Sequence, residues 1–101
     1  MDIAVLGVGN RARKYLSSLP EYVRVSCLVE PEDIRLRQAA ARHGVSLENC
    51  YSNPEDFFAR PHPGLEAVII AAPDKLHVPL ALSCVVRGWH VLLEKPAATS
   101  E

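Results

Sequence analysis

The sequence lacks any apolar run long enough to span a bilayer, so we expect no membrane-spanning helix. It also lacks an excess of charge of either sign. Its 101 residues have a net charge of −1, which gives no reason to expect nucleic acid or an acidic membrane surface as a partner. The N-terminus begins directly with a strand pattern and leaves no room for a signal peptide. We therefore expect a cytoplasmic protein without nucleic-acid or membrane partners.

The three cysteines do not show the spacing of the common metal motifs. Cys27, Cys50 and Cys84 are odd in number, lie in apolar stretches and show no C-x-x-C pattern. We expect buried, reduced thiols and no metal site. The apolar fraction of 49% is that of an ordinary globular core, and the length is that of one domain, residues 1–101.

The sequence does contain a glycine-rich turn, which follows a short apolar run near the N-terminus. Residues 3–12 read Ile-Ala-Val-Leu-Gly-Val-Gly-Asn-Arg-Ala, and a helical pattern follows. Gly7 allows a tight turn, Gly9 leaves room for a phosphate, and Ala12 stands at the last position of G-x-G-x-x-G/A. The turn predicts a dinucleotide pyrophosphate site at a helix N-terminus. The alternative is a strand-to-helix turn that binds nothing.

An acidic residue stands where this motif requires one. Glu30 ends the second strand pattern, 21 residues after Gly9, where a carboxylate accepts hydrogen bonds from the adenosine ribose. A carboxylate there repels a 2′-phosphate, which favours NAD over NADP. Arg35 and Arg37 keep NADP possible, since either side chain could reach round to a phosphate. The alternative for Glu30 is a solvated acid near the N-terminus of the following helix.

Strand patterns alternate with mostly helical segments along the whole chain, which predicts an α/β fold: a Rossmann-type, doubly wound parallel sheet with helices on both faces. Asn53 and Pro54 are expected to begin a short helix anchored by phenylalanine, and His62 is expected in an exposed loop. The expected strands are Asp2–Leu6, Val23–Val29, Asn49–Ser52, Glu66–Ala71 and His90–Leu93, and the expected helices cover residues 11–19, 32–43, a short segment from 54 and 78–87.

Parallel strands bring their carboxyl ends to one edge of the sheet, where ligands bind beside the point at which the strand order reverses. Four separate stretches therefore face the same crevice. They are the glycine turn of residues 7–12, Glu30, residues 72–77 and residues 94–95.

Two internal motifs resemble the Gfo/Idh/MocA oxidoreductases. These are Ala-Ala-Pro-Asp-Lys-Leu-His at residues 71–77 and Gly-Trp-His-Val-Leu-Leu-Glu-Lys-Pro at residues 88–96. The resemblance covers essentially the whole chain but only the N-terminal half of that family. Three departures are Ala12 for the last glycine, Glu30 for a commoner aspartate and Asp74 for a commoner asparagine.

The resemblance implies an NAD(P)-dependent oxidoreductase acting on CH–OH groups of a sugar, cyclitol or similar polyol. It implies a pyrophosphate site at Gly7, Gly9, Asn10 and Arg11, a ribose site at Glu30, a wall beside the ribose and nicotinamide at Ala72, Pro73 and His77, a nicotinamide contact at Glu94 and a catalytic role for Lys95. It also makes Lys95–Pro96 a candidate cis peptide. For His77 the alternative is a cap of the adjacent helix.

The chemistry supports Lys95 separately from the resemblance. Hydride removal from a carbinol carbon requires the hydroxyl proton to leave, and a partly buried lysine near a cationic ring has a lowered pKa suited to accepting it. The alternative is a solvated surface lysine.

The family's second domain, which supplies the substrate pocket, has no counterpart in these residues. We therefore expect the chain alone to bind NAD(H) but to turn over little. Two alternatives remain: a non-catalytic NAD(P)-sensing module, and a flavodoxin- or receiver-like interaction domain. The sequence indicates neither the substrate nor the oligomeric state.

Overall fold

The computed structural model describes residues 1–8, 16, 19–71 and 77–93. Five parallel strands form one sheet in the order β3-β2-β1-β4-β5. The strands are β1 (Asp2–Leu6), β2 (Arg24–Val29), β3 (Cys50–Tyr51), β4 (Leu65–Ile70) and β5 (His90–Leu93). In the described part of the chain, the segments between strands form the helices α1 (Asp33–His43), α2 (Pro54–Phe58) and α3 (His77–Val85) and a 3₁₀ turn at Leu47–Asn49.

The strand order is that of a Rossmann fold, which confirms the predicted fold class. The chain places β2 and then β3 on one side of β1, and β4 and then β5 on its other side. The strand order therefore reverses beside β1. A flavodoxin-like sheet has a different order, with its second strand at the edge. The observed sheet therefore does not support the flavodoxin-like alternative.

Apolar side chains cover both faces of the sheet because successive residues of a strand point to opposite sides. On one face, Val5 and Leu28 pack with α1 through Leu36 and Ala40. On the other face, the strands pack against α2 and α3; the buried side chains of this layer include Leu6, Phe57, Ile70, Leu80 and Cys84. Both layers are buried, as a doubly wound sheet requires.

The helix ends follow the local sequence signals. The Asn53 side chain accepts a hydrogen bond from the Asp56 backbone N–H at 2.8 Å, and Pro54 is the first helical residue of α2. Gly44 ends α1 in the left-handed conformation, and the Val45 N–H donates to the Ala40 carbonyl at 2.9 Å, which gives the helix a Schellman ending. Helix α3 ends at Val85, two residues before the predicted end, and its last turn continues as hydrogen-bonded turns to Gly88.

The prediction that His62 is solvent-exposed is wrong. Its ring is half-buried and stacks on Phe57, with ring centroids 4.2 Å apart and an angle of 19° between the planes. Its Nε2 donates to the Phe57 carbonyl oxygen at 2.6 Å, and its Nδ1 lies 3.8 Å from the sulfur of Cys27. The loop turns the imidazole inwards because the ring completes an aromatic cluster with Tyr51 and Trp89.

The cysteines are free, as expected, although they are not equally buried. Cys27 and Cys84 are buried, whereas Cys50 is half-buried with its sulfur 3.6 Å from the Ser46 carbonyl. Burial raises the pKa of all three thiols, and for Cys84 it raises the pKa from 9.0 to about 11. These thiols are therefore protonated near neutral pH.

Candidate functional site

The carboxyl ends of neighbouring strands are joined by backbone hydrogen bonds. The Gly7 N–H donates to the Val29 carbonyl at 2.7 Å, and the Ala71 N–H donates to the Leu6 carbonyl at 2.8 Å. The Glu30 N–H continues the row with a bond of 2.9 Å to Tyr51. The segments after β1, β2 and β4 therefore begin side by side at one edge, as the parallel topology predicted.

Gly7 has the backbone geometry that the predicted turn requires. Its φ is +95°, a conformation that is strained for any residue with a Cβ. The chain therefore leaves β1 in a direction that a larger residue would oppose. This turn leads into Val8, which is buried with 2% of its surface exposed.

Glu30 is a buried charged residue at this edge, and it is 6% exposed. Its Oε1 accepts from the Val8 backbone N–H at 3.0 Å, and its Oε2 accepts from the Glu32 N–H at 2.9 Å. Two charge-assisted hydrogen bonds compensate part of the cost of burying the charge. The alternative of a solvated acid at this position is therefore wrong.

Among the described residues, each oxygen of the Glu30 carboxylate accepts one backbone N–H, and a carboxylate oxygen has two lone-pair sites. A carboxylate is therefore a suitable acceptor for a pair of neighbouring hydroxyl groups. A vicinal diol, as on a ribose ring, carries two such donors.

Both arginines that left NADP possible are engaged with acids on the surface of α1. Arg35 Nε lies 3.5 Å from Glu32 Oε1, and Arg37 Nε lies 2.8 Å from Asp33 Oδ2. These four side chains are more than half exposed, so the pairs are individually weak. Their arrangement nevertheless places an acidic partner against each cation.

Most of the other predicted site residues lie outside the described part of the chain. Gly9, Asn10, Arg11, Ala72, Pro73, Glu94 and Lys95 belong to this group, together with the Lys95–Pro96 bond. His77 is the first residue of α3, and its side chain is likewise not among the described parts of the structure. The structure thus brings Gly7 and Glu30 to one edge, and the roles of the other residues stay predictions.

Sequence reasoning missed the part that Val8 plays at this edge. Its side chain belongs to the core, but its backbone N–H binds Glu30 from 22 residues away. A residue-type pattern does not reveal a backbone donor. The available signal was topological, because adjacent parallel strands place the residues after Leu6 and Val29 next to each other.

The described residues contain no group of three or more His, Cys, Asp or Glu side chains placed to hold a metal ion. None of the helices in the described part is both long enough and apolar enough to cross a membrane.

Comparison with known proteins identifies the family. The model of the Gfo/Idh/MocA oxidoreductase family, described as an oxidoreductase family with an NAD-binding Rossmann fold, matches residues 1–101. The chain belongs to this family. NAD is therefore the cofactor class of the fold, in agreement with the glycine turn and the acid after β2.

Curated relatives of this oxidoreductase family are much longer than the chain. An inositol 2-dehydrogenase of Streptomyces avermitilis is 33% identical over 99 residues, which are 95% of this chain and 28% of the relative. An uncharacterised oxidoreductase of Rhizobium meliloti is 41% identical over 104 residues, covering 97% of this chain and 30% of the relative. The chain thus spans less than a third of the length of these relatives.

Solved structures of the family share the fold. The WlbA dehydrogenase of Chromobacterium violaceum, in complex with NADH and UDP-GlcNAcA, matches with a TM-score of 0.81 and 23% identity over 95% of this chain and 27% of that chain. An Agrobacterium radiobacter oxidoreductase in complex with NAD⁺, L-tartaric acid and magnesium matches with a TM-score of 0.82 and 19% identity over 95% of this chain and 28% of that one. At these identities the similarity concerns the fold.

Proposed function

We propose that this chain is the cofactor-binding part of an oxidoreductase that transfers hydride between NAD and a CH–OH group of a sugar, cyclitol or similar polyol. Family membership supports the reaction class. The inositol 2-dehydrogenases among the relatives support a polyol substrate.

The observation that carries the proposal is the pair of hydrogen bonds at Glu30. A buried carboxylate bonded to the backbone after Gly7 fixes the acid against the glycine turn. In this arrangement Gly7, Gly9, Asn10 and Arg11 would hold the pyrophosphate, and the Glu30 carboxylate would bind the adenosine ribose. The exclusion of 2′-phosphate by the Glu30 charge favours NAD over NADP.

The reactive end would be formed by the segments after β4 and β5. Ala72, Pro73 and His77 would line the wall beside ribose and nicotinamide, and Glu94 would contact the nicotinamide end. Bound NAD supplies the hydride acceptor. Lys95 would take the proton of the substrate hydroxyl through its amine, or in the reverse direction stabilise charge on the carbonyl oxygen with its ammonium group.

We further propose that residues 1–101 form one cofactor-binding domain. The substrate pocket would then be formed by additional residues, such as those that the longer relatives have outside the matched region. Holding a substrate in reactive geometry needs that pocket. The chain alone is then expected to bind NAD(H) with little turnover. A cytoplasmic location and the absence of nucleic-acid and membrane partners complete the proposal.

The test of cofactor binding compares substitutions at two glycines that both have a positive φ. Gly7 and Gly64 have φ values of +95° and +86°, so Gly7→Ala and Gly64→Ala both strain the backbone. Only Gly7 lies at the proposed site. NADH is titrated into the 101-residue chain, and binding is followed by nucleotide fluorescence and by the rise in melting temperature. We expect the dissociation constant of NADH to be unchanged in Gly64→Ala and to rise at least about tenfold in Gly7→Ala. Failure of the parent chain to bind NADH, or equal weakening by both substitutions, would refute the proposed site.

A second measurement separates an enzyme from a nucleotide sensor. In a full-length oxidoreductase that contains this chain, Lys95→Ala is expected to lower kcat by about 10²- to 10⁴-fold while NADH binding is retained. An unchanged kcat would remove Lys95 from catalysis. Polyol-independent NADH binding with no dehydrogenase activity in the parent protein would favour the sensor.

A further inference from the structure

Two adjoining surface cavities lie between α2 and α3. One has a volume of about 550 Å³ and is bounded by the loop after α2 and the turn after α3. The other has a volume of about 450 Å³ and continues along the two helices to Pro79. Both cavities are lined by Phe58, Ala59 and Arg87, so they form one elongated depression, which we call the α2–α3 trough.

The Arg87 end of this trough lies at the opposite end of the sheet from the proposed cofactor site. Arg60 and His62 belong to the loop that leads into β4, and Arg87 and Trp89 precede β5. These residues therefore lie near the amino ends of the strands, whereas Glu30 follows the carboxyl end of β2. A molecule bound at this end would not occupy the position of the nucleotide.

The surface of the trough at this end is rich in aromatic and proline side chains. Phe58 and Trp89 are half-buried, and their rings are nearly parallel, with an angle of 19° between the planes and centroids 6.4 Å apart. The exposed Pro61 and Pro63 border the same cavity. Aromatic-lined grooves dock proline-containing peptides, because the polyproline II conformation is already formed before binding.

Positive charge is concentrated at the same end. The Arg87 guanidinium carbon lies 4.7 Å from the centre of the Phe58 ring, and its N–H groups donate to the carbonyls of Ser83 at 2.7 Å and Phe58 at 3.4 Å. These neutral partners position the guanidinium without cancelling its charge. Arg60 lines the same cavity, and among the described residues neither arginine forms an ion pair with a carboxylate. Glu55 lines the other cavity, so the two ends of the trough carry opposite charge.

We propose that the α2–α3 trough binds an extended, proline-containing segment of a partner protein that carries acidic side chains at one end. The acidic end would lie at Arg60 and Arg87, since a guanidinium group binds a carboxylate through paired hydrogen bonds. Glu55 would repel an acidic group at the other end. From Pro79 to Arg87 the trough is about 12 Å long at the helical rise per residue, which is the length of about four residues in polyproline II conformation.

The experiment titrates a synthetic peptide, acetyl-Pro-Pro-Leu-Pro-Glu-Glu-amide, into the 101-residue chain at low ionic strength. Trp89 is the only tryptophan of the sequence, so its fluorescence reports binding at the trough. We expect a saturable change in this fluorescence. A matched peptide with glutamine in place of both glutamates should bind at least about fivefold more weakly, because it lacks the charge that the arginines recognise.

Substitutions of exposed arginines test the same contacts from the side of the protein. Arg87→Gln and Arg60→Gln should each raise the dissociation constant of the glutamate peptide at least about threefold and leave that of the glutamine peptide within about twofold. Arg42→Gln is the matched control, because Arg42 is exposed in the last turn of α1, on the other face of the sheet. It should change neither constant by more than about twofold. Melting temperatures without peptide establish that the variants are folded.

Three results would overturn the inference: no saturable change with the glutamate peptide, equal binding of the two peptides, or equal effects of Arg87→Gln and Arg42→Gln. A fourth is calorimetric binding of the peptide to the 101-residue chain but not to a full-length oxidoreductase that contains it. The trough would then be covered by the protein's own additional residues and not by a partner. NADH titrations of the same samples test the proposed function separately, because neither arginine belongs to the proposed cofactor site.

Discussion

Glu30 accepts a hydrogen bond from the backbone N–H of Val8 at 3.0 Å, across 22 residues of sequence. The two residues follow the ends of β2 and β1, which are adjacent in the sheet. A buried carboxylate therefore ties the glycine turn to the neighbouring strand before any ligand is considered. The same group serves the fold and the proposed ribose site.

Glu30→Gln should destabilise the chain without cofactor by about 1–3 kcal/mol. A glutamine oxygen can replace one acceptor, but its amide group then presents a donor to one of the two backbone donors at Val8 and Glu32. The free energy of unfolding from urea titration measures the effect. Glu66→Gln, an exposed acid on β4, is the control and should change stability by no more than about 0.5 kcal/mol. Equal stability of the two variants would show that the Glu30 bonds contribute nothing to the fold.

The fold could be predicted because its signals are local and repeated. Short apolar strands, capped helices and a glycine turn each follow from neighbouring residues, and parallel topology follows from their alternation. The boundaries agree within a residue or two at Asp2–Leu6, Arg24–Val29 and Asp33–His43. At these places local preference and tertiary packing favour the same conformation.

The contacts made by loops could not be predicted in the same way. Two prolines and a glycine around His62 correctly indicate irregular backbone, but they do not show on which side the imidazole lies. Its inward position depends on the neighbouring Phe57 and on Trp89, which is distant in sequence and meets the other two rings only in the folded chain. The Val8–Glu30 bond is similar, because it depends on strand register and on a backbone donor.

His62→Ala should lower the free energy of unfolding by about 2 kcal/mol. About half comes from the hydrogen bond to the Phe57 carbonyl and about half from the stacked ring pair. His90→Ala is the matched control, since His90 is exposed on the edge strand β5 and its loss should cost less than about 1 kcal/mol. Both values come from urea titration at the same pH. Similar losses for the two histidines would contradict the inward packing of His62.

Cys84 should make the chain less stable at alkaline pH. Burial raises the pKa of its thiol from 9.0 to about 11, so the folded state keeps a proton that the unfolded chain loses. This contribution is fully present below about pH 8 and is lost as the pH rises from about 9 towards 11, with a limiting slope of about 1.4 kcal/mol per pH unit. Other groups also titrate in this range, so the measured quantity is the difference in unfolding free energy between the parent chain and Cys84→Ala. That difference should fall with pH between 8 and 11, whereas a constant difference would show that the Cys84 pKa is the same in the folded and unfolded states.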